Sequence, residues 1–386
     1  MHRAASTTSA TGPVTTSVAG ASGIPPTPPD KLYTPPHPLP QGKPGAIIWA
    51  ESVAGIDFQP PQKAWRFLYH SRDQNGNDVA VSAFAIVPAA AAAASGRAVY
   101  AWAHGTVGLG DQCAPSHKVR DNLPPYAGEV VKGNALVVAT DYIGLGTPGA
   151  HTYLAGAAEG QAVLDSVRAA STLPNVGPLG DVVLAGHSQG GAAALFAAQL
   201  APSYAPTLHI KGVLAIAPGA ELRLLTTSLT TFPYKGVLLV AAIGLHAAFP
   251  TVVASDALTP SAVADLPRVA GECIDATVAR YKNLPATSVV KRDPSQVPQI
   301  ARILDQNSPG GIDPHVPIMI VQGERDEQVP VTVSAALAAK YCTRGATVSR
   351  RIYAGATHEG VLDAAHDDLV AWLSARYEHK SATTTC

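Results

Sequence analysis

Residues 182–191 read Val-Val-Leu-Ala-Gly-His-Ser-Gln-Gly-Gly, an apolar run that stops in Gly186-His187-Ser188-Gln189-Gly190 and passes into Gly191-Ala-Ala-Ala194. This is the arrangement of a nucleophile elbow, with a serine at the tip of a tight strand-to-helix turn. The serine must take a strained backbone there, and glycines are needed where no Cβ fits and where the helix packs against the strand. Ser188 is therefore expected to stand above a sheet at a helix N-terminus, whose dipole and free N–H groups favour an oxyanion.

The five-residue pattern by itself arises by chance in about one chain in ten of this length, so its surroundings decide. Asp181-Val-Val-Leu-Ala, bounded by Gly180 and Gly186, reads as a short central parallel strand. The following Ala-Ala-Ala-Leu-Phe-Ala-Ala-Gln-Leu, residues 192–200, reads as a helix.

Working outward, residues 1–45 form a Pro-rich tail suited to lying extended on a surface. Trp65–His70 and Val79–Val87 flank Asn75-Gly76, the signature of a hairpin turn. Buried parallel strands are expected at Ala98–Ala103, Ala135–Ala139, Val182–Ala185, Val213–Ala217 and Ile318–Val321, with helices between most of them, notably Glu159–Leu173. The interval from 220 to 316 is too long for one crossover and holds several helical patterns, one of them with Asp293-Pro294 as cap and first-turn proline. It reads as an inserted, mainly helical cap or lid. Arg350–Ala354 reads as a last strand, and 361–377 as a closing helix with Leu362, Leu369, Trp372 and Leu373 on one face. The whole gives an α/β fold of the α/β-hydrolase class: a mostly parallel sheet flanked by helices, core at 46–219 and 317–386, lid at 220–316.

A serine hydroxyl needs a base in reach and a third group to orient that base. In this fold the acid follows the nucleophile and the histidine comes last. Gly323-Glu-Arg-Asp326-Glu-Gln-Val-Pro330 lies just past the Ile318–Val321 strand and offers Asp326, with Glu324 and Glu327 as neighbours of less suitable spacing. Of the three later histidines, His366 falls in the terminal helix and His379 in a polar tail, leaving His358 in the loop after the final strand. An oxyanion hole needs two donors. One is the backbone N–H of Gln189; the other comes from the loop after the third strand, with Thr106 preferred and Gly105 the alternative. His104 precedes the nucleophile and is expected to bond within its loop, and His187 is the variable residue of the elbow.

Composition sets limits. The 386 residues carry 27 Lys+Arg against 28 Asp+Glu, a net charge of −1, with no basic run for nucleic acid or a membrane surface. Charged residues make up 14%, below the roughly 25% of soluble domains, compatible with a partly apolar working surface. The longest apolar stretch, Gly236–Phe249, is too short to span a bilayer and contains His246. Residues 1–40 lack the apolar region of a signal peptide, so a leader is either already removed or absent. Cys113, Cys273, Cys342 and Cys386 have no metal-binding spacing and read as two disulfides of an exported protein, with three connectivities open. Neither a cofactor nor a metal is expected.

Further motifs accompany the elbow: His104-Gly-Thr, Asp111-Gln-Cys-Ala-Pro-Ser116, Ala139-Thr-Asp-Tyr-Ile-Gly-Leu-Gly146 and Leu164-Asp-Ser-Val-Arg-Ala-Ala170. With the long interval before Asp326, they make residues 60–375 resemble the secretory lipase family, the lipase A type of α/β-hydrolase. The resemblance implies an exported (secreted or periplasmic) carboxylic ester hydrolase with a helical lid, and a triad at Ser188, Asp326 and His358. It implies Cys113–Cys273 and Cys342–Cys386 as the disulfides and a structural role for Asp141. Where fungal members carry an acidic residue in the oxyanion loop, this chain has His104-Gly105-Thr106. The implied partner is a small-molecule or lipid ester, with transient contact at a lipid interface, no nucleic acid and no stable protein partner. A serine peptidase on the same fold is the alternative, and a non-catalytic binding protein a lesser one, since all the catalytic parts are present in order. Ser288-Val-Val-Lys291 lacks the companion motifs of penicillin-recognising enzymes and is set aside.

Overall fold

In the computed structural model, which describes residues 23–56, 58–230 and 233–386, the strands of the described residues join in one sheet. They are β1 (Ile47–Val53), β2 (Gln62–Arg72), β3 (Asp78–Pro88), β4 (Arg97–Ala103), β5 (Leu136–Thr140), β6 (Leu179–His187), β7 (His209–Ile216), β8 (Ile318–Gly323) and β9 (Val348–Tyr353). Their spatial order is β1-β2-β3-β5-β4-β6-β7-β8-β9. The first three pair antiparallel, β3 pairs antiparallel with β5, and every pair from β5 to β9 is parallel. Strands covered by helices on both faces need no polar side, which is why β5 and β8 are buried at every residue. The β2–β3 hairpin turns at Gly76, whose φ of +82° suits glycine. Asp73 Oδ1 accepts the Asn75 and Asn77 amides there.

The helices are α1 (Ala127–Lys132), α2 (Gly156–Ala170), α3 (Gln189–Tyr204), α4 (Leu222–Leu229), α5 (Gly236–Ala248), α6 (Pro260–Val269), α7 (Ile274–Tyr281), α8 (Pro298–Gln306), α9 (Val331–Cys342), α10 (Gly360–Ala364) and α11 (His366–Tyr377). Helices α4 to α8 all lie between β7 and β8, an interval with no strand among its described residues. No helix among the described residues is long and apolar enough to cross a membrane. Helices α2 and α3 pack closely: a Cβ on Gly156 would meet the Phe196 ring at 2.2 Å, and one on Gly160 would meet the Ala197 amide at 2.8 Å.

The structure departs from the sequence reading in four places. Strand β1 was not expected; its Ile-Ile-Trp-Ala-Glu-Ser-Val lacks a period of two, and it sits at the sheet edge, where Glu51 pairs with Arg66 of β2. The loop holding Thr106 therefore follows the fourth strand, not the third. Asp293 caps a short 3₁₀ turn, Pro294–Gln296, by accepting the Ser295 amide at 2.8 Å; α8 begins only at Pro298, because Val297 before it is extended. The closing helix is broken at Ala365, so His366 opens α11.

Residues 1–22 of the tail lie outside the described residues. The rest runs along the surface and is anchored at Leu32, which is buried against Trp49 and Leu68 and whose carbonyl accepts the Trp49 indole N–H at 3.0 Å. Tyr33 stacks on His117 and bonds Ser116 through its hydroxyl at 2.9 Å.

Disulfides join Cys113 to Cys273 and Cys342 to Cys386. The first is reinforced by backbone pairing of the same two segments, Leu109 N to Glu272 O at 3.0 Å and Ile274 N to Val107 O at 2.9 Å. The bonds close loops of 160 and 44 residues, and a longer loop loses more entropy when cross-linked in the unfolded chain. Replacing Cys113 and Cys273 by Ser should lower the unfolding free energy by about 2–4 kcal/mol in urea titrations. The Cys342/Cys386 pair should cost less; an inverted order would show that native contacts, not chain entropy, set the cost.

Candidate active site

Ser188 lies between β6 and α3 with φ 56° and ψ −120°, a conformation that L-residues take only under constraint. The constraint is close backbone approach. A Cβ on Gly190 would lie 1.9 Å from the Ala103 carbonyl oxygen, and one on Gly186 would lie 2.1 Å from that of Gly190. The Ser188 amide donates to Ile216 O at 2.9 Å, and its carbonyl accepts the Gly219 and Gly191 amides at 2.8 and 3.0 Å. The turn is thus tied to the end of β7.

The loop after β8 carries Asp326 and the loop after β9 carries His358, both with buried side chains. His358 Nδ1 and Asp326 Oδ2 are 2.7 Å apart. The carboxylate also accepts the Gln328 and Val329 amides at 2.9 and 2.7 Å and Gln322 Nε2 at 2.6 Å, so three donors besides the imidazole hold it in place. The neighbouring acids are engaged elsewhere. Glu324 accepts the Gly355 amide at 2.8 Å, and Glu327 meets the Tyr234 hydroxyl and the His358 backbone amide, not its ring.

Ser188, Gln189, His358, Gly105 and Thr106 line one cavity of about 550 Å³. Its apolar wall comes mainly from the interval between β7 and β8, including Leu222, Leu225, Val237, Leu238, Val278 and Leu304. Other apolar residues of that interval, such as Leu239 and Val240, pack in a separate cluster with Leu258, Val269, Leu109 and Tyr153. Thr106 Oγ1 is 2.7 Å from the Tyr153 hydroxyl.

His104 does not reach this chemistry. It is buried, its Nδ1 lies 2.6 Å from Gly105 O, and burial lowers its pKa to about 4. His187 donates from Nε2 to the His358 carbonyl at 3.0 Å, and burial, with His358 adding to it, lowers its pKa to about 3. Asp141 lies apart from the imidazole of His358 and ties three segments: it accepts Ser82 Oγ at 2.6 Å, the Ser116 amide at 3.0 Å and the Ser116 hydroxyl. Burial raises its pKa to about 7. As to metals, one ligand atom each of His187, His358 and Glu359 lie within 4.8 Å of one another. An ion there would occupy the imidazole that bonds Asp326.

Sequence reasoning passed over Tyr153, His151 and Glu159. Glu159 Oε1 accepts Gln189 Nε2 at 2.7 Å and the Leu154 amide at 2.9 Å, and burial raises its pKa to about 7. A carboxylate among Gly156-Ala-Ala and Gly160-Gln-Ala-Val-Leu, on the apolar side of a helical pattern, was the available signal.

Residues 127–385 match a family model described as secretory lipase. A lipase A from Arthroderma benhamiae is 26% identical over 97% of this chain and 85% of its own length. Among solved structures, Candida antarctica lipase A in its closed state aligns with a TM-score of 0.80 at 22% identity, covering 93% of this chain and 88% of that one. A rice cell wall degrading esterase from Xanthomonas oryzae aligns with a TM-score of 0.73 at 16% identity, covering 87% and 98%. At these identities the structural likenesses establish the fold, that of the α/β-hydrolases.

The buried titratable groups set a pH dependence of stability. His104, His151 and His187 have folded pKa values of about 4, 4 and 3, below the unfolded value of about 6.5. The unfolded chain therefore binds the extra protons, and stability is lost as pH falls below about 6.5. Asp141 and Glu159, raised to about 7, act oppositely and cost stability as pH rises from about 4 towards 7. His187→Gln, which keeps a donor for the His358 carbonyl, removes one of the imidazole protons. Between pH 6 and 4.5 its unfolding free energy should fall less steeply than that of the wild type, by about 1.4 kcal/mol per pH unit. Equal slopes in urea unfolding would place the His187 pKa at its ordinary value.

Proposed function

Given that the chain belongs to the secretory lipase family and is a carboxylic ester hydrolase, we propose that it cleaves lipid esters through an acyl-enzyme on Ser188. The observation that carries this reading is the meeting at one cavity of a serine held at φ 56° and an imidazole bonded to a buried carboxylate. In the reaction, Ser188 Oγ attacks the ester carbonyl while His358 Nε2 takes its proton. Asp326 keeps the proton of His358 on Nδ1 and stabilises the imidazolium. The oxyanion accepts from the Gln189 backbone N–H and from Thr106. Collapse returns the proton from His358 to the leaving alcohol. Water, activated by the same imidazole, then releases the acid and restores Ser188.

Residues 220–316 serve as a cap over the core formed by 46–219 and 317–386. Its apolar side chains supply the acyl site, where each buried methylene strengthens binding by about 0.8 kcal/mol. Support comes from the cavity wall, where Leu222, Leu225, Val237, Leu238 and Val278 face the same space as Ser188. Export fits the family's description and the two disulfides, and the substrate class implies transient contact with a lipid interface.

Ser188→Ala should abolish labelling by a fluorophosphonate and lower turnover by about 10³-fold or more while leaving the fold intact. A folded Ser188→Ala protein with wild-type turnover would overturn the assignment. Across acetate, butyrate, octanoate and palmitate esters, KM should fall with chain length until the cavity is filled. A flat profile, or faster cleavage of a peptide than of any ester, would remove the acyl-site reading.

A further inference from the structure

Residues 151–159, the approach to α2 and its first turn, touch both sides of the site. On one side, the Tyr153 hydroxyl is 2.7 Å from Thr106 Oγ1. Tyr153 is itself backed by α5, where a Cβ on Gly244 would lie 2.4 Å from the Tyr153 Cβ. Burial pushes its phenol well above the usual range, so the hydroxyl keeps its proton.

On the other side, the side-chain amide of Gln189 is held by two partners. Its Nε2 donates to Glu159 Oε1 at 2.7 Å and lies 3.2 Å from His151 Nε2. His151 Nδ1 donates to Ile143 O at 2.8 Å, and burial keeps the ring neutral, leaving the Nε2 lone pair free to accept. Both N–H groups of the Gln189 amide thus have acceptors. Gln189 is the first residue of α3 and is itself buried, so clamping its side chain fixes the peptide whose N–H follows Ser188.

We propose that Glu159 and Tyr153 are positioning residues for the oxyanion hole, one stretch of chain setting the Gln189 arm through Glu159 and the Thr106 arm through Tyr153. This rests on reading Gln189 and Thr106 as the oxyanion donors. Glu159 stands outside the cavity lining and Tyr153 within it; each holds a donor where charge develops, and a displacement of about 1 Å there can cost roughly 100-fold. Glu159 uses one oxygen, Oε1, for both of its bonds, so its work needs an acceptor and not a negative charge.

The test is steady-state kinetics on a short ester, together with inhibition by a trifluoromethyl ketone that forms a tetrahedral adduct. Glu159→Ala should lower kcat about 10- to 100-fold with KM unchanged, and weaken the ketone by the same factor. Glu159→Gln, which keeps an acceptor oxygen, should restore kcat to within about threefold of wild type. Tyr153→Phe, which deletes one oxygen, should lower kcat about tenfold with KM unchanged and stands as the test if Glu159→Ala does not fold. A rise in KM alone, an unchanged ketone affinity, a folded Glu159→Ala with wild-type kcat, or Tyr153→Phe at wild-type rate would overturn the proposal. If Thr106→Ala loses turnover while Tyr153→Phe does not, the oxyanion reading stands and the inference falls. If Ser188→Ala retains turnover, the catalytic reading itself has failed.

Discussion

The start of α3 passes directly against the end of β4. At Gly190 there is no room for a Cβ against the Ala103 carbonyl, and at Gly186 none against Gly190 itself. Packed backbones of this kind do not deform gradually, so the contact has one geometry. It forces Ser188 into its strained conformation, which typically costs about 1–3 kcal/mol. Hydrogen bonds from Gly219 and Gly191 to the Ser188 carbonyl, and from the Ser188 amide to β7, help to offset that cost. Because Ala103 leads directly into His104-Gly105-Thr106, the same contact that bends the backbone at Ser188 also sets the neighbouring loop beside it.

Two buried aspartates show how environment divides labour. Asp326 is surrounded by donors from its own loop and by an imidazole, which suits it to the orienting role proposed for it. Asp141 is just as buried, but its carboxyl meets only hydroxyls and a backbone amide, and it holds β3, the loop after β5 and the Ser116 turn together. Neither residue's type distinguishes these roles; the partners do.

What was legible in the sequence follows from what is local. The elbow could be read because glycine spacing and the switch from an apolar run to alanines report the turn directly, and Asp326 and His358 could be read because each follows a recognisable strand. The disulfide pairing came from family resemblance, since four cysteines leave three connectivities open. Strand β1 was missed because an edge strand lacking a period of two owes its form to its neighbour's register. The 3₁₀ turn at Pro294 was missed because the prolines at 294 and 298 share one helical pattern, and only the backbone of Val297 divides them. The link from Glu159 to Gln189 spans 30 positions and depends on the packing of α2 against α3. No local pattern reports it; the carboxylate on a buried helical face was its one trace.

The Cys113–Cys273 bond and the backbone pairing beside it weld the Ile274 flank of the cavity to the segment that follows Thr106. That flank is stitched to the loop that follows β4, at the middle of the sheet. The wall formed by α4 and α5 has no disulfide to the core among the described residues, and α5 is held there by packing on Tyr153 and on Thr277 of α7. On the proposed reading the cavity is built unevenly: a bulky ester would gain room at Leu222 and Leu225 of α4, while the side at Ile274 stays held by the disulfide beside it.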